Sequence, residues 1–174
     1  MNAGFPAAVF VLLIIVAGVG DALTRRIPHL LLIILAVSFF PLAYAYGMSW
    51  PQVGLHALAG FAMLMAAYIL FSVGILGGGD AKLLAVVALW SGPSGAPEFL
   101  LMTAISGAFL ALVIGIWSLM GFEAEIRSLP GRLRLTWIRP SLPYGVAIAA
   151  GAIIAAPATW WAPVVPFWSL LTTH

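Results

Sequence analysis

Long apolar runs alternate with short polar breaks along the whole chain. Stretches without Asp, Glu, Lys or Arg cover residues 1–20, 30–79, 83–97, 99–122 and 140–173. A membrane-spanning helix needs about 20 apolar residues, and the second and fifth stretches exceed one such crossing. Glycine and proline mark most of the breaks inside and between the runs. The pattern therefore predicts an all-α polytopic membrane protein.

Six helices fit these runs. We expect them near residues 5–20, 28–46, 53–76, 81–91, 98–120 and 143–158. The fourth helix is short, because about 11 residues span only roughly 16 Å of a hydrocarbon core that is about 30 Å thick. Either this helix is a short crossing, or the glycine-rich loop before it lies below the membrane surface.

The basic residues predict how the helices are oriented. With six crossings, all seven Lys and Arg residues fall on one side of the membrane. The positive-inside rule makes that side cytoplasmic and places both termini outside the cytoplasm. Arg25 and Arg26 follow the first apolar run and no basic residue precedes it, which indicates a retained helix instead of a secretory signal peptide.

Composition narrows the function classes. The chain has 174 residues, of which 64% are hydrophobic and 7% are charged, so we expect one membrane-embedded domain over residues 1–174 with lipid around it. The chain has no cysteine, which excludes disulfides and thiolate metal sites. Its three scattered histidines do not predict a metal cluster, and its net charge of +2 does not favour nucleic-acid binding.

Two carboxylates are the candidate catalytic groups. Asp21 at the end of the first predicted helix and Asp80 at the start of the fourth are the only aspartates. Carboxylates in or beside a membrane are costly, so each is a functional candidate. If the two face each other they can share one proton, so that one activates water and the other polarises or protonates a carbonyl.

Structural interpretations and other functions stay open from the residues alone. Asp80 is also suited to cap the helix that follows it, Asp21 could be neutralised by Arg25 or Arg26, and the two arginines could be topology signals. A small proton-coupled transporter could use Asp21 and Asp80 as relay carboxylates. A relay favours carboxylates near the membrane midplane, whereas these are predicted at one face. A membrane assembly factor without enzymatic activity would need neither aspartate.

Three segments resemble the type IV prepilin peptidase family, which are membrane aspartic proteases with a Gly-x-Gly-Asp motif. GVGDALTRRIPH at residues 18–29 is similar to the family's first motif, although His29 stands where the family usually has Asn. GGGDAKLLA at residues 77–85 resembles the second motif, and LPYGVAIAAG at residues 142–151 resembles a segment near the family's end. The resemblance covers nearly the whole chain.

The resemblance implies an activity and a site. Asp21 and Asp80 would be catalytic, and a second group of residues would bind substrate or shape the site: Gly77, Gly78, Gly79, Lys82, Arg25, Arg26, Pro28, His29, Pro143, Tyr144 and Gly145. The reaction would remove the positively charged leader of a prepilin or pseudopilin, typically after a glycine. It would take place at the cytoplasmic face of the bacterial inner membrane, with no metal or organic cofactor.

The chain departs from part of the family's pattern. Members that also methylate the new N-terminus carry a long cytoplasmic segment with paired cysteines, which is absent here. This absence counts against methyltransferase activity. The compact form is similar to members that serve tight-adherence (Flp-type) pili.

Overall fold

The computed structural model describes residues 5–119 and 144–156, which form five helices. Their bounds are Phe5–Thr24 for α1, His29–Ala45 for α2, Trp50–Ser72 for α3, Gly78–Leu119 for α4 and Tyr144–Ile154 for α5. By length and composition, α1, α3 and α4 could each cross a membrane, whereas α2 and α5 are apolar but shorter. The all-α prediction is confirmed for the described part of the chain.

A backbone break at Gly92 divides α4 into two parts. Gly92 has φ 68° and ψ −179°, which is not helical. Residues 78–91 and 93–119 correspond to the predicted fourth and fifth helices. The second part begins earlier than predicted, because Pro93 and Pro97 lie inside its helical geometry. Proline fits the first turn of a helix, where its missing N–H has no helical partner to lose.

Neighbouring helices run in opposite directions. A Cβ at Gly78 would lie 3.3 Å from the Phe71 ring, and one at Gly60 would lie 3.2 Å from the carbonyl oxygen of Ala85. Positions late in α3 thus face positions early in α4. The helix of residues 78–91 therefore begins level with the end of α3.

The second part of α4 returns along α5. Gly107 lies beside Ala147, and Thr103 contacts Gly151. Residues further along α4 therefore lie closer to the beginning of α5. Since α5 begins beside Asp21, the chain reverses direction at Gly92.

Local signals explain the bounds of α3, which the prediction placed several residues too late. The Ser49 N–H donates to Oε1 of Gln52 over 2.9 Å, and Pro51 lies in the first turn, where it begins the helix instead of breaking it. At the other end, Gly74 adopts φ 76°. Ile75 donates to the carbonyl of Leu70 over 3.0 Å, which completes a Schellman motif.

The outward surface of the helices is apolar. Leu12, Leu30 and Phe109 are 63%, 68% and 67% exposed, respectively. Exposed apolar faces of this extent mark surfaces that contact a membrane or another protein. The described helices thus have the surface expected of a protein surrounded by lipid.

An aromatic end lies away from the start of α4 and consists of Phe10, Phe39, His56 and Trp90. The Trp90 ring centroid lies 5.1 Å from that of Phe10 and 5.8 Å from that of Phe39. The Nε1–H of Trp90 donates to the carbonyl of Leu35 over 2.9 Å. His56 stacks on Phe39 and is hydrogen-bonded through Nδ1 to the Leu89 carbonyl over 2.8 Å. These contacts give His56 a packing role.

Parts of the predicted fifth and sixth helices lie outside the described residues. These are residues 120, 143, 157 and 158, so the prediction for Pro143 has no structural counterpart here.

Candidate active site

The ends of two helices bring the aspartates to one cavity. Asp21 lies in the last turn of α1, which continues to Thr24 instead of ending at residue 20 as predicted. Asp80 lies in the first turn of α4. The cavity has a volume of about 570 Å³, and its lining comes from the end of α1, the following loop and the start of α4. The lining residues are Asp21, Thr24, Arg25, Arg26, Ile27, Pro28, His29, Gly77, Gly78, Gly79 and Asp80.

The three glycines are more helical than predicted. α4 begins at Gly78, so only Gly77 precedes it, and the N–H of Ala81 donates to the Gly77 carbonyl over 2.9 Å. The prediction of non-helical backbone at Gly78 and Gly79 is therefore wrong. The missing side chain matters for packing at Gly78, where a Cβ would lie 3.3 Å from the Phe71 ring, whereas a Cβ at Gly79 would make ordinary contact with Ile27 at 3.6 Å.

Asp80 reaches back over the start of its own helix. Its carboxylate accepts a hydrogen bond from the backbone N–H of Gly77, as the third helical residue does in a capping box. A Cβ at Gly77 would lie 2.7 Å from Oδ2 of Asp80. Asp80 therefore caps the helix from its third residue and not, as predicted, from the position before it, and the same side chain also lines the cavity.

Asp21 is held by the beginning of α5. Its side chain is 6% exposed, and Oδ2 accepts a hydrogen bond from the Gly145 N–H over 2.9 Å. That N–H is one of the first-turn donors that a helix cannot satisfy internally. A Cβ at Gly145 would lie 2.7 Å from Cβ of Asp21 and 2.8 Å from its Oδ2. The third sequence segment therefore reaches the site through a backbone amide that orients Asp21.

Three charges act on one another at the cavity. Asp21 interacts electrostatically with Arg25, and Asp80 interacts with Asp21. Two close carboxylates in a partly buried site are more stable with one shared proton than with two charges. Asp80 keeps part of its surface exposed, whereas Asp21 is buried.

Three predicted site residues within the described ranges, Lys82, Tyr144 and Gly145, are not among those that line the cavity, although Gly145 contacts Asp21. Lys82 is exposed because it lies two positions after Asp80, on a different face of the helix. Tyr144 is 40% exposed and begins α5. Within the described ranges, no group of three or more His, Cys, Asp or Glu residues could hold a metal ion.

Two lining residues were missed by the sequence analysis. Thr24 and Ile27 lie inside the first motif, between Asp21 and Pro28. The hydroxyl of Thr24 donates to the carbonyl of Gly20 over 2.8 Å, and Ile27 is buried against Gly79. Their position between two predicted site residues was the sequence signal that could have identified them as part of the site.

Comparison with known proteins identifies the family. The model of the type IV leader peptidase family matches residues 8–112, a range that contains both aspartates. The chain belongs to this family. The family and the apolar helices together make it a membrane protein, and the resemblance predicted from the three motifs is confirmed.

One curated relative extends the match. The chain is 35% identical over 156 residues to the prepilin leader peptidase/N-methyltransferase of Bacillus subtilis (strain 168), an alignment that covers 87% of this chain and 54% of that protein. The chain thus spans about half the length of the curated relative it matches. No solved structure matches the chain significantly.

Proposed function

We propose that this protein is an aspartic endopeptidase that removes the leader peptide of type IV (Flp-like) prepilins or pseudopilins. The observation that carries the proposal is that its only two aspartates, on separate helices, line one cavity. Membership of the leader peptidase family supports the reaction. The name of the Bacillus subtilis relative, a prepilin leader peptidase, supports the substrate class.

The pair would hydrolyse the leader bond with one water molecule. The ionised carboxylate takes a proton from water as the oxygen attacks the carbonyl carbon, and the protonated carboxyl donates to the carbonyl oxygen. When the tetrahedral intermediate collapses, the C–N bond breaks and the leaving amine receives a proton from the pair. The hydrogen bond from the Gly145 amide to Oδ2 holds the Asp21 carboxyl group in one orientation for this step.

The remaining lining residues would shape the substrate site. Gly77, Gly78 and Gly79 bring bare backbone to the cavity wall, where an extended substrate strand can approach closely. Arg25, Arg26, Pro28 and His29 also line the cavity. Substrate would enter this cavity, with the scissile carbonyl held beside the aspartates.

The site would face the cytoplasm from a six-crossing domain that comprises residues 1–174. Support comes from the alternating directions of the described helices, which place the cavity and Arg25–Arg26 at the same end. Arginines in short loops indicate the cytoplasmic side. Both termini would then lie outside the cytoplasm, and the membrane would be the bacterial inner membrane.

The geometry gives less support to a transporter. Asp21 and Asp80 lie in terminal turns of their helices, not at mid-helix positions. Phe10, Phe39 and Trp90 are each at most 1% exposed and pack together at the aromatic end. A proton relay would need a polar path through that region.

Leader cleavage by the purified chain tests the proposal. The full chain in detergent is incubated with a prepilin, and the products are weighed by mass spectrometry. We expect the masses of the leader and of the mature pilin. Asp21→Asn and Asp80→Asn should each slow cleavage by about a thousandfold or more, as happens when members of one catalytic unit are removed.

Glu98→Gln is the matched control, because it makes the same carboxylate-to-amide change at an exposed position of α4. Its rate should stay close to that of the unaltered chain. Substantial cleavage by either folded aspartate variant would overturn the catalytic pair. Proton flux through proteoliposomes without leader cleavage would favour the transporter.

A further inference from the structure

Three helices of this chain are followed by a residue with positive φ, and in one case that residue is not glycine. After α2 and α3, Gly47 and Gly74 adopt φ 81° and 76°. After α1 the residue with positive φ is Arg25, with φ 55°. Glycine is the usual residue here, because the left-handed conformation is strained for residues with a side chain. Within residues 5–119 and 144–156, Arg25 alone among non-glycine residues has positive φ.

The backbone of Arg25 is tied to Asp21. Its N–H donates to the Asp21 carbonyl over 2.9 Å, which is the single hydrogen bond of the left-handed helix-ending motif. The motif ends α1 one turn beyond the aspartate. Arg25 and Asp21 are thereby fixed relative to each other by backbone geometry, not by flexible side chains alone.

The side chain of Arg25 acts at the same place. It is half-buried, lines the cavity with both aspartates and interacts electrostatically with Asp21. An aspartate pair that shares one proton carries one negative charge, which a single guanidinium beside it can balance. Arg26 also lines the cavity, but it is exposed and has no positive φ.

We infer that Arg25 is a positioning residue, whose left-handed backbone conformation is retained because it holds a guanidinium against Asp21 and so stabilises the charge of the aspartate pair. Strain at a site residue persists when the surrounding structure and function require it. This inference rests on the proposed peptidase function for its kinetic part only. The Arg25–Asp21 interaction itself can be measured without substrate.

Arg25→Gly separates the backbone from the charge. Glycine relieves the strain, so a merely structural arginine would give a protein of equal or higher Tm with full activity. We expect kcat for leader cleavage to fall by about tenfold or more, since a nearby opposite charge changes a carboxyl equilibrium by that factor. KM should change less than about threefold, within ordinary context dependence. Arg25→Lys should restore most of kcat, because it keeps the charge.

A thermal cycle in detergent tests the interaction independently. In an Asp21→Asn background, Arg25→Gly relieves strain without losing an ion pair, so Tm should rise by about 2–4 °C. In the unaltered chain the same substitution also removes the ion pair. The change in Tm should therefore be lower by at least about 2 °C than in the Asp21→Asn background. Arg26→Gly is the matched control, and it should lower Tm about equally in both backgrounds because no strain is relieved.

The outcomes divide cleanly. Equal Tm shifts for Arg25→Gly in the two backgrounds would overturn the positioning role, as would full kcat in that variant. If Arg25→Gly fails to fold, Arg25→Asn replaces it in both measurements, since Asn also tolerates the left-handed conformation. No cleavage by the unaltered chain would overturn the proposed function, and the thermal cycle would then decide the role of Arg25.

Discussion

At one end of the bundle Asp21 and Asp80 line an open cavity, whereas at the other end Phe10, Phe39 and Trp90 fill the space between the helices. Both ends are touched by the same stretch of α4, residues 78–91. Asp80 lies near the start of this stretch and Trp90 near its end, about 10 residues or roughly 15 Å further along. One short helix therefore connects an open cavity with a tightly packed aromatic cluster.

The difference between the two ends shows how the chain separates packing from chemistry. Trp90 satisfies its one donor by bonding to the Leu35 carbonyl, so the aromatic end buries its polar groups with partners. The cavity end leaves carboxylates beside open space and ends α1 on a strained arginine. We therefore expect changes at the aromatic end to alter stability, and changes at the cavity end to alter catalysis.

Trp90→Ala should have the largest effect, and it should act on stability. The Trp90 side chain is fully buried, and removing such a side chain costs about 3–5 kcal/mol through the cavity left behind. Thermal unfolding in detergent, followed by circular dichroism, measures the loss. Leader cleavage per folded molecule should stay unchanged below the lowered Tm.

Trp117→Ala serves as the control for Trp90→Ala, because the same side chain is removed from a position that is 53% exposed. It should cost less than about 1 kcal/mol. If Trp90→Ala impaired cleavage more than stability, the proposed division between the two ends would be wrong.

Gly145→Ala should have the next largest effect, and it should act on catalysis. The new Cβ would lie 2.7 Å from Cβ of Asp21 and within 2.8 Å of its carboxylate, so Asp21 must move. A displacement of about 1 Å can cost on the order of a hundredfold in rate. The leader-cleavage rate of the folded variant measures this cost.

Gly115→Ala is matched to Gly145→Ala, since both replace a helical glycine and nothing lies within 4 Å of a Cβ at Gly115. Its cleavage rate should stay within about twofold of that of the unaltered chain, because neutral surface changes have small effects. Normal cleavage by Gly145→Ala would show that the Gly145 contact does not set the position of Asp21.

The sequence was sufficient to predict the helices and the two aspartates because both signals are local. Apolar runs, Gly47 and Pro28 mark helix limits within a few residues of those observed. Asp21 and Asp80 stand out because charges are rare in apolar segments. We predicted that these two residues lie at the same membrane face because six predicted crossings alternate in direction along the chain.

The remaining features depend on contacts between distant segments. Nothing local in GGGDAK shows that Phe71 and Ile27 pack against Gly78 and Gly79, so the prediction of an unwound loop missed the start of α4. The predicted fourth helix is short because it ends at Gly92, beside His56, whereas its beginning lies level with the end of α3. Only the packing of the helices shows that the missing length is at the Gly92 end.

The Gly145 hydrogen bond to Asp21 illustrates the same limit. The third motif predicted a site role for Gly145, but not that the role would be a backbone amide bound to a carboxylate from a segment 124 positions away. Backbone donors carry no sequence signature of their own. Such contacts become visible only once the helices are placed.

We expect Asp21 and Asp80 to face each other across one cavity, and cysteine cross-linking can measure how close they are. The chain has no cysteine, so Asp21→Cys and Asp80→Cys together introduce the only two thiols. A short bifunctional thiol reagent should join them within one chain, as detected by mass spectrometry after proteolysis. Asp21→Cys paired with Glu98→Cys should give no such link. Equal cross-linking of both pairs, or none for the aspartate positions in a folded variant, would contradict the claim.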